Sequence, residues 1–163
     1  MRFGVIGGAI VSILLAVGAF GQEEATPTPP EADLPYLILP GGRLLPTEAA
    51  VAENISDKKF TKYAVAGATS GTRTPLTLPE FAFLSDKIDP ASIELYGFES
   101  VNGRREIVLA KKDKPLAKPY YITPFPEKGV EGLYRIRVST GLPVGEHCLT
   151  PRTSDQVFCF TVF

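Results

Sequence analysis

The feature that most constrains this chain is a missing one, helical periodicity. From Leu34 to the C-terminus no segment keeps apolar residues at i, i+3 and i+4 over three turns. Short runs rich in Val, Ile, Tyr and Phe recur instead between clusters of Gly, Pro, Asn and Asp. β-branched and aromatic side chains pack well on a pleated surface, and the punctuating residues supply the backbone angles that turns need. An all-β fold follows, with strands expected near residues 36–39, 43–45, 62–68, 76–78, 81–84, 93–98, 106–110, 120–123, 133–138, 145–149 and 157–162. Residues 47–54 (TEAAVAEN) are the one stretch with helical features, Thr47 serving as N-cap and Glu48 lying in the first turn. The stretch is too short to hold a helix alone, and the sequence leaves it undecided.

Turn chemistry begins to fix register. Pro40 ends the first run, and Gly41-Gly42 can take positive φ and return the chain as a hairpin. Asn102-Gly103 is the stronger signal. A two-residue loop there sets Phe98 opposite Ile107, Tyr96 opposite Leu109 and Glu94 opposite Lys111. It also sets Glu99 opposite Glu106, a like-charge pair that is unfavourable unless Arg104 or Arg105 screens it or the loop is longer than two residues.

Two cysteines, Cys148 and Cys159, flank the polar turn 151–156. Pairing them as a disulfide puts Leu149 opposite Phe158, His147 opposite Phe160 and Gly145 opposite Val162, so that one face of the hairpin is apolar. Their spacing lacks the Cys-x-x-Cys arrangement that lowers a thiol pKa, which makes the bond structural and not redox-active. The expected fold is a single antiparallel β-sandwich or flattened barrel with one disulfide-closed C-terminal hairpin.

At 163 residues, with 44% hydrophobic and 21% charged residues, the chain is long enough for one domain and too apolar for disorder. Residues 1–21 read as a signal peptide: Arg2 is the only charge, residues 5–20 are apolar or small, and Ala19-Phe20-Gly21 suits cleavage before Gln22. That apolar stretch is shorter than the roughly 20 residues of a membrane span, so no stable span is expected after cleavage. Residues 22–33 (QEEATPTPPEAD) read as a Pro-rich linker, and 34–163 as the β-sandwich-like domain. The expected location is secreted or periplasmic, in agreement with the disulfide.

Several motifs together resemble a known group. Leu34-Pro35-Tyr36 with Gly41-Gly42-Arg43-Leu44, Ala66-Gly67-Ala68-Thr69-Ser70 followed by Thr74-Pro75-Leu76 and Phe81-Ala82-Phe83, Arg104-Arg105-Glu106-Ile107, and the closing Leu142-Pro143-Val144-Gly145-Glu146-His147 with Val157-Phe158-Cys159-Phe160 carry the likeness. Over about residues 34–163 the chain resembles uncharacterised secreted bacterial β-rich domain proteins, a group that more often has Tyr where this chain has His147. The resemblance implies a secreted β-rich domain and supplies no catalytic residue.

Chemistry is sparse. His147 is the only imidazole, has no spaced Ser and carboxylate, and is turned by the hairpin register toward Phe160. A metal site using Glu146 or Asp155 fails because Glu146 and His147, adjacent on a strand, point to opposite faces. Glu99 and Glu106 could share a proton as glycosidase carboxylates do, but they flank an exposed hairpin tip. Residues 67–71 have the glycines of a phosphate loop without a following helix. Asn54-Ile55-Ser56 is a glycosylation sequon only where the source glycosylates. No metal and no cofactor is called for.

The net charge of −1 gives no global field to draw a nucleic acid, and none is expected as partner. Residues 104–118 nevertheless hold six basic residues against Glu106 and Asp113, followed by two tyrosines. Lys111, Lys112, Lys114, Lys118, Tyr120 and Tyr121 are therefore the candidate ligand-binding residues, suited to an acidic polymer or the acidic edge of a protein partner. The leading expectation is a secreted, non-catalytic binding or structural module, and the alternative is a small secreted hydrolase-like enzyme using acidic residues.

Overall fold

The computed structural model describes residues 24–163, so the expected signal peptide 1–21 lies outside the described residues. Fourteen strands follow in order: β1 (Tyr36–Leu39), β2 (Arg43–Pro46), β3 (Glu48–Val51), β4 (Glu53–Asn54), β5 (Phe60–Ala66), β6 (Arg73–Thr74), β7 (Glu80–Leu84), β8 (Ile93–Val101), β9 (Arg104–Lys111), β10 (Lys114–Pro115), β11 (Ile122–Pro126), β12 (Leu133–Val138), β13 (Gly145–Pro151) and β14 (Gln156–Val162). Helix is confined, among the described residues, to 3-10 turns at Pro40–Gly42 and Pro90–Ser92.

One sheet has the order β11-β12-β7-β1-β2; the other runs β3-β14-β13-β8-β9-β5-β4, with β10 beside β9 and β6 beside β14. All ladders are antiparallel except the short β6–β14 pairing. Only Ala52 separates β3 from β4, so the second sheet starts and ends on one stretch of chain and curls into a nearly closed barrel. The expected alternatives, sandwich and flattened barrel, are both present: the five-stranded sheet packs on the barrel's outer wall.

Because strand side chains alternate, the barrel wall feeds two cores. Outward from β8, β13 and β14 point Leu95, Leu149, Phe158, Phe160 and Val162, which meet Leu37, Phe81, Phe83 and Ile136 of the flat sheet. Phe81 and Phe160 make an edge-to-face contact with ring centroids 5.2 Å apart. Inward point Val65, Phe98, Ile107, Val157 and the disulfide Cys148–Cys159. The last hairpin has the expected register throughout, with Cys148 opposite Cys159, His147 opposite Phe160 and Gly145 opposite Val162.

Both glycine turns form as read. Gly41 and Gly42 have φ of 77° and 71°, and Asn102 and Gly103 have 49° and 79°, closing Val101 onto Arg104 by a two-residue loop. Glu99 does lie opposite Glu106, and Arg104 Nε sits 2.6 Å from Glu106 Oε1 to screen the pair.

Other expectations need correction. The β8–β9 ladder runs from Glu99–Glu106 to the tip only. Farther from the tip the Leu109 carbonyl accepts N–H groups of Leu116 and Ala117, and Leu95 bridges to Tyr120. Residues 114–120 thus wedge between the two strands, so the expected ladder pairs Phe98–Ile107, Tyr96–Leu109 and Glu94–Lys111 do not form. On its other edge β8 pairs Phe98 with Glu146, Tyr96 with Cys148 and Glu94 with Thr150, while β9 pairs Ile107 with Tyr63 and Lys111 with Phe60 and Lys114. Residues 47–54 are strand and not helix: Glu48 and Ala50 turn inward while Ala49, Val51 and Glu53 face solvent, and pairing with β14 and β5 overrides local preference. Residues 76–78 form no strand, being set between Pro75 and Pro79.

The Pro-rich stretch is anchored from Glu24 onward. Arg135 Nη2 donates to the Glu24 carbonyl at 2.6 Å and Arg135 Nε to Thr26 Oγ1 at 2.6 Å, while Thr26 in turn donates to Glu127. Asp33, with φ of 59°, accepts the backbone N–H groups of Asp86, Lys87 and Ile88. Burial works against that carboxylate, but the three N–H donors and Lys87 outweigh it and hold its pKa below the ordinary value.

Candidate functional site

The barrel's two ends differ in chemistry. At one end β9 carries Arg105 inward, fully buried, between Val65 of β5 and Ser100 of β8. Its guanidinium lies 2.6 Å from Glu48 Oε1 and donates to the carbonyls of Ala66 at 2.5 Å and Gly67 at 3.0 Å. Glu146 lies 4.0 Å away, accepting from Thr69 Oγ1 and Thr161 Oγ1 at 2.8 Å each and from the Ser70 N–H at 2.9 Å. Burial works to raise the Glu48 carboxyl, yet the bonds from Arg105 and Ser70 prevail and lower its pKa. Loop 67–71, which has the glycines of an anion-binding loop, offers its N–H groups to the protein's own carboxylates, Ser70 to Glu146 and Gly71 to Glu48. This end is plugged.

The other end is open. A cavity of about 690 Å³ enters the barrel there, walled by Tyr63 of β5, Tyr96 and Phe98 of β8, Ile107 and Leu109 of β9 and Val157 of β14. The 151–155 turn and Glu94 form its rim. Glu94 is engaged on both oxygens: Tyr96 Oη donates to one at 2.8 Å and Arg152 Nε lies 3.3 Å from the other. Burial first and Glu94 second push the Tyr96 phenol up to about 12. The wedge 114–120 keeps β8 and β9 apart at this end, which is why the barrel does not zip shut over the cavity.

The fold redistributes the residues singled out by sequence. Lys111, Lys112 and Lys114 are exposed together at the β9–β10 turn, and Lys118 lies beyond it in the crossover. Tyr120 is not a free face: it is half-buried, and its ring lies 5.6 Å from that of His147. Tyr121 is 80% exposed at the flat sheet, where its carbonyl accepts the Ser139 N–H. Arg104 and Arg105, counted with the basic stretch, are engaged by Glu106 and Glu48.

His147 is buried, stacked on Phe160 with 22° between ring planes, and its Nδ1 lies 3.1 Å from the Gly145 carbonyl. Burial lowers its pKa against the opposing pull of that carbonyl and Glu146. Glu99 and His147 both border a shallow hollow of about 300 Å³, but Glu106 does not. Among the described residues no three His, Cys, Asp or Glu side chains gather to hold a metal ion.

Sequence reasoning missed the cavity walls. Their alternation along β5, β8 and β9 was legible, but that they enclose a space depends on the barrel closing. No family model matches the chain, nor does any curated protein or solved structure. Fold and site therefore define the class: an antiparallel barrel, capped on one flank by a flat sheet, plugged at one end and open at the other.

Proposed function

We propose that the protein is a secreted or periplasmic, non-catalytic binding module that holds a small apolar molecule in the open end of its barrel. The cavity carries the reading: its volume suits a small ligand, and an aromatic and aliphatic inner wall of Tyr63, Tyr96, Phe98, Ile107, Leu109 and Val157 lies beneath a polar rim of Glu94, Thr150 and residues 152–155, so that burial supplies affinity and the rim supplies orientation. Glu94, Tyr96 and Arg152 satisfy one another at the rim and so can orient a polar substituent without needing one. The disulfide fits an oxidising compartment, and among the described residues no helix is long and apolar enough to cross a membrane.

The hydrolase reading has one observation in its favour, the hollow bordered by Glu99 and His147. Against it, the His147 ring is hydrogen-bonded among the described residues to a backbone carbonyl and not to a nucleophile or carboxylate.

The test uses N-phenyl-1-naphthylamine, a neutral fluorophore whose emission rises in apolar surroundings. Saturable one-to-one binding is expected, weakened at least about tenfold by Leu109→Trp, which fills the cavity from its wall. No saturable binding, or binding indifferent to both Leu109→Trp and Val157→Trp in folded protein, would remove the proposal.

A further inference from the structure

Two turns distant in sequence meet at one corner of the barrel. β5 begins at Phe60, which pairs with Lys111 at the end of β9, and the Lys112 N–H donates to the Lys59 carbonyl at 2.7 Å. Lys58, Lys59 and Lys62 thereby join Lys111, Lys112 and Lys114 in a single cluster, exposed except for Lys62, which is partly buried. Within residues 57–62 and 111–114 six lysines face two aspartates, a local +4 on a chain of net charge −1, so the remainder carries −5. The protein is charge-segregated.

The cluster is poorly neutralised from within. Asp57 accepts the N–H groups of Lys59 and Phe60 at 2.7 and 2.8 Å, and among the described residues it pairs with Lys62 alone, at 3.9 Å. Among the described residues Lys58, Lys59, Lys111, Lys112 and Lys114 form no ion pair. Two ammonium groups, those of Lys62 and Lys111, sit over the same Phe60 ring, 4.9 and 5.8 Å from its centroid. Like charges held around one ring repel, and an anion laid among them relieves that repulsion.

We propose that this corner binds a linear acidic polysaccharide, whose sulfate or carboxylate groups meet the six lysines in turn. Lysines are compact point charges on flexible stems and suit anions repeated along a pliable chain. The one ring in the cluster, Phe60, is covered by two lysines and so offers no platform for stacking bases, which argues against a single-stranded nucleic acid. This site is separate from the barrel cavity, whose wall includes none of these lysines.

Dextran sulfate is the probe, titrated at a series of salt concentrations. The quadruple variant Lys58→Gln, Lys59→Gln, Lys111→Gln, Lys112→Gln is expected to bind at least about tenfold more weakly at low salt. The slope of log K against log salt should become shallower by roughly 1 for each lysine removed, as counterion release requires. The pair Lys58→Gln, Lys59→Gln should show about half that change in slope, which serves if the quadruple variant folds poorly. A charge-matched control that removes four exposed cations elsewhere, Arg43→Gln, Arg73→Gln, Lys87→Gln, Lys128→Gln, should stay within about twofold of the parent. The proposal is overturned if the control weakens binding as much as the cluster variant, if dextran sulfate does not bind even at low salt, or if single-stranded DNA or phosphatidylglycerol vesicles bind more tightly at equal charge. Unchanged fluorophore binding by the cluster variant keeps this result distinct from the cavity test.

Discussion

The plugged and open ends of the barrel handle charge in opposite ways. At the plugged end Arg105 is wholly buried, and a loop is brought across to supply carbonyls, N–H groups and hydroxyls until the guanidinium and both carboxylates are satisfied. At the open end Glu94 and Arg152 pair in partial contact with solvent, their side chains 28% and 61% exposed, beside a mouth bordered by the 151–155 turn. A buried charge in a small barrel demands a complete shell, since each unmet hydrogen bond there carries the full desolvation penalty. An exposed pair makes no such demand, so the barrel can stay open beside it.

The largest effect expected from this difference is at Arg105. Arg105→Leu leaves the buried Glu146 without its nearby cation and breaks the pair with Glu48, whose side chain is 31% exposed, and should lower unfolding free energy by about 3 kcal/mol, read from urea denaturation. Glu94→Gln, by contrast, should stay within about 1 kcal/mol. Equal losses for the two variants would break the comparison and mean that the plug is no more structural than the rim.

The disulfide lies between the two ends on the inner face and tests whether they share one cooperative unit. Replacing Cys148 and Cys159 together by Ser should cost about 3 kcal/mol in the chain-entropy account. Amide exchange should then rise at both Arg105 and Tyr96. A rise confined to the open end would show that the plug holds its end independently.

How much of this was legible in the sequence follows the same division. The last hairpin was readable to the residue because one cysteine pair, one polar turn and an alternating apolar face all demand the same register. The Asn102-Gly103 turn was readable at its tip, but not the parting of β8 and β9, which is caused by residues 114–120 arriving from elsewhere in the chain. Arg105 looked like one more surface charge in a basic run. Only its alternation with Ile107 and Leu109 hinted that it points inward, and nothing local names Glu48 as its partner. The lysine cluster was half visible: Lys111, Lys112 and Lys114 are contiguous, whereas Lys58, Lys59 and Lys62 reach them through β5–β9 pairing.

The smallest effect expected is also the most specific to the open end. Tyr96 is held protonated up to about 12 by burial and, secondarily, by the Glu94 carboxylate it donates to. Unfolding returns the phenol to its ordinary value near 10, so above that pH the unfolded state binds fewer protons than the folded one. Stability contributed by this group is therefore present below pH 10 and drains away as pH rises toward 12. Tyrosinate absorbance should show a late-titrating phenol that vanishes in Tyr96→Phe. In Glu94→Gln that phenol should move down only part of the way, because burial is the larger cause and remains. A full return to the ordinary value in Glu94→Gln would mean that the mouth is wet down to Tyr96 and that the carboxylate alone makes the shift. Such a mouth could not exclude water from an apolar ligand, and the two ends of the barrel would then differ in shape without differing in dryness.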